Sequence, residues 1–138
     1  MSVDVSLLRR QRTTVLNGIS NSKGEINKLA DKISRLQTAS NKLTSLITEL
    51  ETCKSNINNL SLNKNRWKGA ELNKFNNRYV TYEGHVGNLV KQTINAKDTI
   101  DDEIRRFEQS KNGYLNGLAT LESTLYSLNM QISNAERR

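Results

Sequence analysis

The chain has 138 residues, no proline, and only 5% aromatic and 35% hydrophobic residues, so a wide globular core is excluded and any core is a thin strip of Leu and Ile. Its formal charge of +7 and pI near 9.7 admit an acidic partner or a nucleic acid without identifying either. The single cysteine, Cys53, excludes an internal disulfide and a multi-cysteine metal site, and no run is apolar and long enough to span a bilayer.

The first predicted element is a helix from about 4 to 60. Leu8, Val15, Ser22, Leu29, Leu36, Leu43, Leu50 and Ile57 recur every seven residues. Arg12, Ile19, Ile26, Ile33, Ser40, Ile47 and Lys54 form the companion series. Together they give the alternating steps of three and four that mark a coiled-coil stripe, with leucine mostly at d and isoleucine mostly at a. Ser22 and Ser40 interrupt it; Ser22, close to Gly24, reads either as a turn that bends or admits a partner closely or, the favoured reading, as a surface lapse. The opening MSVDVSLLRR lacks the apolar run and small-residue cleavage site of a signal peptide, so any export is expected to use another route.

A turn is expected at about 61–69, where NLSLNKNRWKG supplies capping groups and Gly69 supplies backbone freedom. Trp67, the only tryptophan, reads either as a cap over the end of a helical core or as an anchor inserted between a partner's helices.

The second predicted helix covers about 70–136. Its main series is Leu72, Tyr79, Val86, Thr93, Ile100, Phe107, Tyr114, Leu121, Leu128 and Ala135. The companions are Phe75, Tyr82, Leu89 and Ala96 early, then Ile104, Leu118, Leu125 and Ile132, which predicts that the stripe rotates by about one residue near Ile100. Gly84, Gly87, Gly113 and Gly117 threaten its continuity and leave a three-helix arrangement open. Near-equal arm lengths favour an all-α fold, an elongated antiparallel helical hairpin forming one domain over 1–138. Leu16, Leu46, Cys53, Leu60, Val90 and Ile94 broaden the apolar faces beyond a two-helix seam, so a partner hairpin is expected to complete a four-helix core.

Chemistry is sparse. His85 and Cys53 lack the orienting third group of a nucleophilic site. Asp98, Asp101, Asp102 and Glu103 have no accompanying phosphate loop and read as solvated or paired with Arg105 or Arg106. No enzyme activity, cofactor, metal site or specific small molecule is therefore predicted. Stable membrane insertion is also unexpected, because the polar sides are rich in Asn and Ser and are not uniformly basic. Lys64, Arg66, Lys68, Lys74 and Arg78 could meet phosphates, but Phe75, Tyr79, Tyr82, Phe107 and Tyr114 fall on the apolar series and read as packing residues, which disfavours a nucleic-acid module.

With its two arms and a central Trp67-Lys68-Gly69, the chain resembles the WXG family of small helical hairpins associated with type VII secretion, and in particular the longer helical partners of LXG-domain toxins. The tripeptide lies at the turn in that family, and the architectural likeness covers most of Leu8 to Ile132. The resemblance implies a non-catalytic targeting factor that binds the helical N-terminal region of an LXG-type toxin in the bacterial cytoplasm and supports its secretion. Co-secretion and a second small helical partner stay open, and a structural coiled-coil homodimer is the alternative. The family's export signal pairs a tyrosine near the C-terminus with an acidic residue four positions later. Here Tyr126 is followed by Met130, and Tyr79 with Glu83 sits just after the turn, so the resemblance implies that the partner supplies part of a composite signal.

Overall fold

The computed structural model describes residues 4–60 and 69–137, leaving aside the side chains of 58, 60 and 70–72. Helix α1 spans Val5–Leu60 and helix α2 spans Ala70–Glu136. They pack against each other as an all-α helical hairpin, with no strand among the described residues. Trp67 and Lys68, and the side chains of Leu60 and Leu72, lie outside the described set.

Each helix has a physical start. Asp4 caps α1: its carbonyl accepts the first helical bond, from the Leu8 amide at 3.1 Å, and its Oδ1 accepts at 3.0 Å from the Ser6 amide, a donor with no intrahelical partner. The Gly69 carbonyl accepts from the Asn73 amide at 3.2 Å while Gly69 holds φ +70°, a left-handed conformation that a residue with a Cβ adopts only at a cost. Threonine hydroxyls are satisfied by their own helix, as where Thr44, Thr48 and Thr52 donate to the carbonyls of Ser40, Thr44 and Thr48. Helix α2 runs unbroken through Gly84, Gly87, Gly113 and Gly117, so the expected break does not divide it and the described residues form two helices.

The chain divides into two compact units. The first combines Met1–Arg35 with Ile104–Arg138. Its buried apolar side chains are Leu8, Ile19, Leu29, Ile104, Leu128 and Ile132. Leu8, Leu128 and Ile132 form a continuous cluster extended by Val15 and Ala135. Ile26, Ile33, Phe107, Leu118, Leu121 and Leu125 are half-buried, while Tyr114 is exposed. Ser22 is 9% exposed, so it is an inward-facing position of the stripe and not a lapse on the surface. Close approach follows from its small neighbours: a Cβ on Gly18 would meet Leu121 at 3.2 Å. Polar edges tie the helices further, through Arg9 with Glu136 at 2.5 Å, Arg12 with the Asn129 Oδ1 at 3.5 Å, and Lys32 over the Phe107 ring at 5.5 Å.

The second unit is Leu36–Glu103. Ile57 and Val86 are its buried apolar residues among those described. Leu36, Leu43, Ile47, Leu50, Phe75, Tyr79 and Ile100 are half-buried, and the Phe75 and Tyr79 rings stack with centroids 6.1 Å apart. The expected rotation of the α2 stripe is absent. Asn76, Glu83, Val90 and Lys97 are half-buried at seven-residue spacing, in phase with Ile104, Leu118, Leu125 and Ile132, whereas Tyr82, Leu89 and Ala96 are exposed. One heptad register therefore holds along α2, and its a positions turn polar in the second unit except at Val90.

Candidate partner-binding faces

Each helix presents two flanking rows, e and g, beside the a and d residues of the seam. In an antiparallel pair the two e rows share one flank and the two g rows share the other. The Arg9–Glu136 ion pair, e to e, shows this arrangement directly.

In the first unit the g flank is polar or small, built from Gln11, Gly18, Glu25 and Lys32 on α1 and Ser110, Gly117, Thr124 and Gln131 on α2. The e flank carries Leu16 and Leu115, exposed by 45% and 42%; Tyr126 and Met130, beside and behind it on α2, are exposed by 68% and 50%. Twelve Lys or Arg against six Asp or Glu give this unit a net charge of +6. The second unit has nine against eight, a net of +1, even though it contains Lys64, Arg66, Lys68, Lys74 and Arg78. Most of the chain's net charge thus falls in the unit holding both termini, while in the second unit the basic segment around Trp67 is offset by acidic residues elsewhere in that unit.

In the second unit apolar side chains stand on the g flank as well. The g rows read Ala39, Leu46 and Cys53 on α1 and Phe75, Tyr82, Leu89 and Ala96 on α2, all apolar up to Glu103 at the unit's edge. Leu46, Tyr82 and Leu89 are well exposed and Cys53 is also exposed. On the other flank α1 offers Gln37, Thr44 and Glu51 against Val80 and Ile94 of α2.

Sequence reasoning missed the polar knot of this unit. Ser40, only 2% exposed, donates from Oγ to Asp101 Oδ1 at 2.6 Å, and Lys97 Nζ donates to Asp101 Oδ2 at 2.7 Å. Both carboxylate oxygens are engaged, so Asp101 is held across the seam and is not simply a member of a solvated acidic run. Asp102, Glu103, Arg105 and Arg106 also have partners. The available signal was Ser40 at an inward position of α1 together with the i,i+4 spacing of Lys97 and Asp101. Asn76 is less well served, because its Oδ1 is buried without a hydrogen-bond partner.

His85 and Cys53 are both exposed, and no group of three or more His, Cys, Asp or Glu among the described residues could hold a metal ion. No helix of the described residues is long and apolar enough to cross a membrane. What the geometry offers is helical surface for another helix.

No curated protein and no solved structure matches the chain. A family model described as YwqH-like matches residues 10–130, which take in most of both helices, and the chain belongs to this YwqH-like family of small helical proteins.

Proposed function

We propose that the hairpin is a non-catalytic partner and targeting factor that binds the helical N-terminal region of an LXG-type toxin and supports its type VII secretion. The carrying observation is the first unit's combination of exposed Leu16, Leu115, Tyr126 and Met130 with a net charge of +6. Exposed apolar side chains on a helical pair suit another amphipathic helix, and surplus positive charge steers the encounter toward an acidic one.

Trp67-Lys68-Gly69 supports the same reading through its resemblance to the turn of WXG proteins, with Trp67 as an interface anchor. Because Met130 stands where an acidic residue would complete the export signal, the toxin contributes to a composite one. Assembly takes place in the bacterial cytoplasm, with the hairpin acting as one domain.

The test is deletion of the gene in an actively secreting host that retains the cognate toxin, alongside co-purification of the two proteins. Toxin accumulation or export falls on deletion, and Leu16→Asp with Tyr126→Asp abolishes co-purification while helicity persists. Unchanged toxin levels in cells and medium, together with intact co-purification of the double variant, would contradict the proposal.

A further inference from the structure

We propose that the second unit pairs with the second unit of another copy of this chain through its apolar g flank, in an antiparallel contact centred on Leu46. This goes beyond the toxin-binding reading, which uses the first unit.

Three observations carry it. Ala39, Leu46 and Cys53 on α1 and Tyr82, Leu89 and Ala96 on α2 repeat every seven residues and border the hairpin's own seam, so the flank is shaped for helices crossing at a shallow angle. The unit's net charge is only +1, so two copies bring little repulsion to this contact, unlike the first unit at +6.

The third observation selects a second copy over a different helix. Lys42 and Glu49 stand outside Leu46 at spacings of four residues before and three after, both exposed. Neither belongs to an ion pair within the chain among the described residues. About a two-fold axis through Leu46, each copy's Lys42 comes opposite Glu49 of the other, and Ala39 comes opposite Cys53. Such a contact is isologous: the same patch complements itself in both apolar spacing and charge. A contact that also engages Leu89 and Tyr82 covers the largest exposed side chains of the flank.

The experiment is sedimentation equilibrium of the purified chain, followed by the same measurement on variants, with circular dichroism on each. The wild-type chain is expected to be a dimer. Leu46→Asp is expected to give a monomer of unchanged helicity, whereas Leu16→Asp, in the first unit, leaves the dimer intact. Lys42→Glu and Glu49→Lys each place like charges opposite one another twice per dimer and weaken it about tenfold, and the double exchange restores it to within about twofold. A wild-type chain that stays monomeric at high micromolar concentration overturns the proposal. So does a Leu46→Asp chain that still dimerises, or a double exchange as weak as either single variant.

Discussion

The two units are built from the same pair of helices in the same heptad register, yet they distribute apolar residues in opposite ways. In the first, Leu8, Ile19, Leu29, Ile104, Leu128 and Ile132 are buried in the seam and the g flank is polar. In the second, the a positions of α2 fall to Asn76, Glu83 and Lys97, while apolar residues of comparable size stand on the g flank as Tyr82 and Leu89. A two-helix seam has room for few side chains, so each apolar residue placed on a flank is withheld from the hairpin's own stability and made available to a partner. The first unit buries the larger share of the hairpin's seam, and the second sets exposed apolar residues on its g flank beside a more polar seam.

Truncating the seam of each unit in turn gives the largest expected contrast. Ile132→Ala removes a side chain 4% exposed within the best-packed cluster and should cost about 2–4 kcal/mol, whereas Val90→Ala, at a half-buried position, should cost under about 1 kcal/mol. Urea denaturation monitored by helicity reports both values.

Restoring an apolar residue to the second unit should narrow the difference between the units. Asn76→Leu replaces a side chain whose Oδ1 is buried and unpartnered, and should stabilise the chain by about 1–2 kcal/mol in the same denaturation assay. Ser40→Ala should move stability the other way by about 1 kcal/mol, because it removes a 2.6 Å hydrogen bond to Asp101 across the seam.

The smallest effect is local to the first unit. Nothing lies within 4 Å of a Cβ built on Gly117, so Gly117→Ala should stabilise the chain through helix propensity by about 0.5–1 kcal/mol, read as a higher melting temperature. Gly18→Ala gains less, since its methyl group meets Leu121 at 3.2 Å.

The fold class was legible because stripes of Leu and Ile at seven-residue spacing on either side of Gly69 leave a helical pair as the arrangement that covers them. Every buried side chain among those described, including Ser22 and Ser40, lies on one of the two stripes. The α2 register was misread for a physical reason. Tyr82, Leu89 and Ala96 are more apolar than Asn76, Glu83 and Lys97, so hydrophobicity pointed to the wrong companion row in the unit that displays its apolar residues outward. The Ser40–Asp101 bond was invisible because it depends on how two distant segments align, and serine is small enough to sit on either side of a helix. Of the tripeptide at the turn, only Gly69 is described, and its φ of +70° accounts for glycine at that position.

Site-resolved amide hydrogen exchange on the dilute, monomeric chain tests the contrast between the units most directly, because protection reports the local free energy of opening. Amides of residues 12–33 and 104–132 should exchange more slowly than those of 40–57 and 76–100, and addition of Ile132→Ala should erase most of that difference. Equal protection along both helices, or greater protection between 40 and 100, would contradict the assignment of the stabilising core to the first unit.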